Sequence, residues 1–170
     1  TNTSMESAII EADIYNPVKG NVVKLFTLRD KSGNFATLLN LYTDGTVKTH
    51  NGIVVAKAVN KQWTNIAVAL DFSMRTFSVY ANRELVAEEV PIPNSNIQDY
   101  IQLVRFEVAA GANKEELWID NMYVYTGDEL QPFSDNQKKF REEEKLKAEE
   151  EEKLNGPKGD PVPLNADMTY

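Results

Sequence analysis

The sequence predicts an all-β protein, an antiparallel sandwich or barrel followed by a charged C-terminal helix. Three observations lead there. Alternation of apolar and polar residues with period two recurs in eight short runs between Ser7 and Tyr125. The breaks between those runs carry turn chemistry and no helical period of useful length interrupts them. After Leu130 the texture changes to helix-forming, charge-rich sequence with almost no apolar face.

The runs are "SAIIEADIY" (7–15), "VVKLFTLRD" (22–30), "FATLLNLY" (35–42), "TVKTH" (46–50), "WTNIAVALDF" (63–72), "RTFSVYA" (75–81), "IQLVRFEVA" (101–109) and "LWIDNMYVY" (117–125). Each puts one side-chain set toward a core and the other outward, because successive strand residues point to opposite faces. "NPVKGN", "DKSGN", "TDGT", "HNG", "PIPNSN" and "AAGANKE" supply the reversals. Asp44-Gly45 between two alternating runs is the strongest hairpin signal. Shared parity predicts a single core containing Ile66, Val68, Leu70, Phe77, Val79, Val104, Phe106 and Val124. Three segments follow: the sandwich over 1–130, a charged helical spacer over 131–155, and a linker or the start of a further module over 156–170. Ser134 and Gln137 have capping-box spacing, and Asn155-Gly156-Pro157 supplies a stop.

The 170 residues suffice for one domain with a sizeable core. There is no cysteine, which removes disulfides, thiolate metal sites and a cysteine nucleophile. Net charge is −8. Residues 1–128 carry 11 Lys/Arg against 15 Asp/Glu, and residues 129–170 carry 7 against 11. An acidic chain without a basic stripe is a poor binder of nucleic acid or membrane. No run approaches the roughly 18 apolar residues of a membrane span. Beginning at Thr1 and closing in linker-like sequence, the chain reads as a module of a longer polypeptide.

The stretch Trp63–Leu85 resembles the central hairpin of concanavalin A-like jelly rolls, which include laminin G-like domains, lectins and many carbohydrate-binding modules. Trp63, Ile66, Val68, Asp71, Phe77, Val79, Tyr80, Asn82 and Leu85 fit its pattern, and Arg83 stands where the family usually has Gly. "LWIDNMYVYTG" (117–127) resembles the closing strand of such domains in bacterial polysaccharide-degrading enzymes, and "YTDGTV" (42–47) matches a further hairpin. Trp118, beside Ile119 in the closing strand, reads as structural, and parity does not decide its face. The resemblance covers roughly residues 5–127 and implies a two-sheet antiparallel jelly-roll sandwich with Trp63 in its core. It also implies a structural Ca²⁺ where the first and last strands meet, with Asp120 and an acidic residue near the start, Glu6 or Glu11, as oxygen donors.

Catalytic patterns of this fold are incomplete. Endo-glucanases place three carboxylates as E-x-D-x-E on one strand, but Glu11-Ala12-Asp13 has no third partner, so surface charge on an edge strand is the competing reading. The R-x-E-x-R strand of alginate-lyase-like jelly rolls is matched only by Arg105-Phe106-Glu107. His50, the single histidine, lacks the Gln of the lyase Q-(I/V)-H strand, and nothing places it for Ser-His-Asp chemistry. Parity instead gathers an outward polar set: Arg29, Asn40, Tyr42, Lys48, His50, Arg105 and Glu107. In the relatives these strands contribute to the concave sheet where sugars lie. Tyr42 can stack on a sugar ring, and Arg or Lys can pair with its carboxylates.

The expectation is a non-catalytic, monomeric carbohydrate-binding module of an extracellular bacterial enzyme, a polysaccharide lyase or glycoside hydrolase. It would need no cofactor beyond the Ca²⁺, and would hold its catalytic domain on a polymer, an anionic one such as alginate. The alternatives are a structural or adhesion jelly roll that packs against a neighbouring domain without binding glycan, and an alginate-lyase-like enzyme.

Overall fold

A computed structural model of the chain describes residues 7–16, 22–57, 62–97, 101–108 and 116–126, together with helical residues 142–143, 145–147, 149–150 and 153–154. The chain divides into two units, Thr1–Phe133 and Ser134–Tyr170. The first is built from β1 (Ser7–Tyr15), β2 (Val23–Asp30), β3 (Phe35–Leu41), β4 (Val47–Thr49), β5 (Val54–Ala56), β6 (Thr64–Asp71), β7 (Thr76–Ala81), β8 (Glu84–Pro91), β9 (Ile101–Val108) and β10 (Trp118–Thr126). They form two five-stranded antiparallel sheets, ordered β10-β1-β6-β7-β8 and β5-β4-β3-β2-β9. The predicted all-β sandwich is what the chain forms.

One apolar core lies between the sheets. Ile10, Ile14, Ile66, Val68, Leu70, Phe77 and Val79 come from the first sheet, and Leu25, Phe26, Leu28, Leu38, Leu39, Leu41 and Val47 from the second. Val104 and Phe106 pack against it while only partly buried. Val124, expected inside, is 51% exposed. It pairs with buried Ile10 and so shares the inner face, but β10 is a sheet edge and no described residue closes over that part of the inner face.

Two strands escape the alternation pattern. Three-residue β5 is too short to show a period, and β8 carries a bulge at Glu89 (φ 52°) that breaks its alternation. Turn chemistry sets the hairpins. Gly45 (φ 84°) donates its N–H to the Tyr42 carbonyl at 2.9 Å, and the Asp44 carboxylate accepts from the Thr46 N–H and hydroxyl at 2.9 and 2.6 Å. Those bonds hold the Asp44 carboxyl below its usual range. The β7–β8 loop is Asn82-Arg83, both with positive φ (47° and 68°), as a type I′ turn requires, so Arg83 takes the left-handed conformation at the family's glycine position.

In the second unit the described residues are helical and exposed, with a 3.9 Å Lys145–Glu149 ion pair four residues apart. Among the described residues no helix is long and apolar enough to cross a membrane.

Candidate functional site

The outer face of the β5-β4-β3-β2-β9 sheet collects six of the seven outward residues. Strand register places Lys24 between Asn40 and Glu107, pairs Asn40 with Lys48, and sets Arg29 beside Phe35. Phe35 is the centre of this face. The guanidinium of Arg29 lies 5.6 Å and that of Arg105 5.1 Å from its ring centroid. Arg105 also donates to Glu107 Oε2 at 2.9 Å, and Lys24 to Glu107 Oε1 at 3.2 Å. Lys48 sits 4.9 Å from the Tyr42 ring centroid. Among the described residues four cations thus share the face with Glu107, on a chain of net charge −8. Contact with aromatic faces and with Glu107 restricts the cationic groups while leaving them in solvent.

His50 departs from that set. Its Nε2 lies 2.7 Å from the carbonyl oxygen of Pro91, and its ring is 6.2 Å from Phe77. Both partners belong to the opposite sheet. Outward parity placed His50 on the floor, but it sits in the turn after β4, where its side chain reaches across the end of the sandwich.

The outer face of the other sheet carries a constellation that alternation alone does not reveal. Trp118, Tyr15 and Trp63 form a row across β10, β1 and the start of β6. Tyr15 stacks on Trp118 (centroids 5.2 Å apart, 22° between planes) and meets Trp63 at 5.4 Å and 43°. Trp63 is 46% exposed and so lacks the core position that the resemblance implied, and Trp118 is 51% exposed. Trp63 precedes Thr64, whose side chain is buried, and therefore points outward.

One row along lie Asp120, Asp13 and Asn65. Asn65 Nδ2 donates to Glu11 Oε1 at 2.9 Å and to Asp13 Oδ1 at 2.8 Å. Asn121 Nδ2 donates to Asp13 Oδ2 at 2.8 Å. A bulge in β10 makes this possible. Between the pairs Glu11–Tyr123 and Asp13–Asp120 the chain holds an extra residue, with Asn121 at φ 47°, so Trp118 and Tyr123 share the outer face despite opposite parity. Strict alternation over 117–125 conceals that switch. A clue in the sequence was Asp120-Asn121, a pair that favours turns and bulges over strand interiors.

Glu11 is not the surface charge of an edge strand. β1 lies between β10 and β6, and Glu11 is 7% exposed. Its carboxylate accepts from Asn65 and, at 3.1 Å, from the Tyr125 hydroxyl. Burial, followed by the charge and hydrogen bond of Glu11, pushes the Tyr125 hydroxyl up to about 12. Among the described residues the junction of first and last strands gathers no donor set for the expected calcium. Asp13 and Glu11 accept from amide and hydroxyl donors, Asp120 Oδ1 takes the Asn121 N–H at 2.8 Å, and no three acidic or histidine side chains converge. Glu6 lies outside the described residues.

A cleft of about 660 Å³ at one end of the sandwich is lined by Asn34, Phe72, Arg75 and Asn96. Its polar groups tie loops together, Arg75 to the carbonyls of Asn94 and Ser95 and Asn34 to that of Asn96.

The chain is thus an all-β sandwich with two chemically distinct outer faces. No protein-family profile and no curated protein matches it. Among solved structures it is similar to a mutant Trypanosoma rangeli sialidase displaying trans-sialidase activity, with a TM-score of 0.51 and 12% identity over 70% of this chain and 20% of that one. It is also similar to another sialidase, with a TM-score of 0.53 and 14% identity over 73% and 14%. The chain spans a fifth or less of those proteins' length, and at such identity the likeness shows the fold alone.

Proposed function

We propose that the chain is a concanavalin A-like, non-catalytic carbohydrate-binding module, attached within a longer extracellular bacterial enzyme that degrades polysaccharide, and that it binds an anionic glycan such as alginate. The observation that carries this reading is the pair of guanidiniums flanking Phe35, with Lys24 and Lys48 on the same face. A guanidinium held in place can take a uronate carboxylate in a bidentate pair, while the ring offers an apolar surface to the sugar. Tethering to a polymer raises the effective concentration of an attached catalytic domain without new chemistry.

Glu107 competes with the ligand for Arg105, and this gives the test two signs. Arg105→Ala weakens alginate-oligomer binding in calorimetric titration by about 1.5–3 kcal/mol, the scale of a hydrogen bond to a charged group. Glu107→Gln removes the competing carboxylate and strengthens it. Equal binding by wild type and both variants would place the site elsewhere.

A second reading rests on a different observation. Ile119 and Val124 lie on the inner face of edge strand β10, opposite buried Ile14 and Ile10, yet both are exposed, as is neighbouring Met122. An uncovered apolar edge suits a sandwich that packs against a neighbouring domain. If no glycan binds and β10 becomes protected from hydrogen exchange only in the longer polypeptide, the structural role replaces the binding one.

A further inference from the structure

We propose that the outer face of the β10-β1-β6 strands is a second glycan site, selective for a neutral pyranose, with Trp118 and Trp63 as stacking surfaces and Asp13 and Asn121 as the polar groups that contact the sugar, Asn65 holding Asp13 in place with its amide protons. It lies on the opposite sheet from the cationic face and does not depend on it.

The aromatic row is the first argument. Exposed tryptophans are costly to leave in water, yet here two are half exposed and held by a common neighbour. Tyr15 covers one face of Trp118 in a near-parallel stack, which fixes the ring and leaves the opposite face for a ligand. Aromatic rings with their apolar faces open and their orientations set by packing lose little entropy when a sugar ring lies on them.

The polar row is the second. Two residues along a strand advance the chain by about 6.8 Å, so a pyranose stacked over the aromatic row carries its hydroxyls toward Asp13 and Asn121. These groups are already oriented. Asp13 receives one amide proton on each oxygen, and a carboxylate has about four acceptor positions, so capacity remains for sugar hydroxyls. The β10 bulge exists at the point that aims Asn121 into this row, and bulges characteristically re-aim side chains beside functional sites.

Charge decides the ligand class. Among the described residues, the ionised groups in register in this row and the next are the carboxylates Asp120, Asp13 and Glu11, while the Arg83 cation acts on Tyr125, one row further along. An anionic sugar placed over them meets like charge, which costs several kcal/mol, whereas neutral hydroxyls donate to carboxylate oxygens in short, strong hydrogen bonds. The two faces therefore sort glycans by charge.

Trp63 and Trp118 are the only tryptophans of the chain, so its intrinsic fluorescence reads this site directly. The experiment titrates the full 170-residue chain with laminarin, xylan and galactomannan oligosaccharides, with alginate oligomers as the anionic comparison. The expected result is an emission change with at least one neutral glycan that persists in about 0.5 M NaCl, where charge pairing is screened. Trp118→Ala and Trp63→Ala each weaken that binding by about tenfold or more, on the scale of one lost aromatic contact. Both variants stay folded, with the melting temperature lowered by at most a few degrees, since about half of each side chain is already in water. Arg105→Ala leaves neutral-glycan binding unchanged, so failure of the cationic face is read separately, by alginate. The proposal is overturned if no neutral glycan is bound, if both tryptophan variants bind as well as wild type, or if Arg105→Ala abolishes the neutral binding. It is also overturned if sedimentation shows that Trp118→Ala dissolves a dimer in which Trp118 is covered, which would make the row an interface between copies.

Discussion

Asp30 shows how one side chain organises the end of the sandwich that closes β2 onto β3. It is fully buried, and an isolated carboxylate in such a place would be costly. Its Oδ1 accepts from the backbone N–H groups of Ser32 and Asn34, both at 2.9 Å, and its Oδ2 accepts from Asn34 Nδ2 at 2.9 Å. Asn34 Nδ2 also reaches the Asn96 carbonyl at 3.1 Å, which ties the turn to the segment after β8. Asp30→Ala leaves these donors without their acceptor. The expected loss is about 2–3 kcal/mol, the desolvation penalty of orphaned polar groups. Urea unfolding with an unchanged m-value measures it, and a loss under about 0.5 kcal/mol would mean that water replaces the carboxylate.

At the scale of the element, β10 decides what the first sheet presents. Its bulge turns Trp118, Asp120, Tyr123 and Tyr125 to one face, and its edge position leaves Ile119 and Val124 half covered on the other. Position in the sheet therefore matters more than residue type. Val79, in central strand β7, is fully buried, whereas Val124 is 51% exposed. Val79→Ala is expected to cost about 2 kcal/mol or more, from two buried methylene equivalents and the cavity left behind. Val124→Ala is expected to cost under about 1 kcal/mol, because much of that surface is already in water. Thermal or urea unfolding of the pair tests this. Equal losses would show that the edge is covered in solution.

For the whole molecule, the Tyr125–Glu11 hydrogen bond links the first strand of the sandwich to the last. The tyrosine hydroxyl is raised to about 12 in the folded protein, from about 10 in the unfolded chain. The folded state therefore holds its proton where the unfolded state releases it. The resulting stability is fully present below pH 10 and is lost as pH rises through the interval to about 12. Tyr125→Phe should remove this portion of the alkaline dependence, seen as a shallower fall in unfolding free energy between about pH 10 and 12. An unchanged slope would show that other groups account for it.

Period-two alternation and turn chemistry were enough to define the sandwich, most of its inward set and the outward direction of Arg29, Asn40, Tyr42, Lys48 and Arg105, because facing along a strand is a local property of the backbone. Tertiary structure decided the rest. Alternation does not say which strands are edges, so Val124 looked like core and Glu11 like an edge charge. Nor does it survive a bulge, so Trp118 could not be assigned to a face until Asn121 was seen to insert an extra residue opposite Ala12. His50 has outward parity but lies in a turn, where side-chain direction follows the bend and the carbonyl of Pro91 lies within reach. The row of Trp118, Tyr15 and Trp63 joins residues more than a hundred positions apart in the chain, and only the pairing of the first strand with the last brings them together.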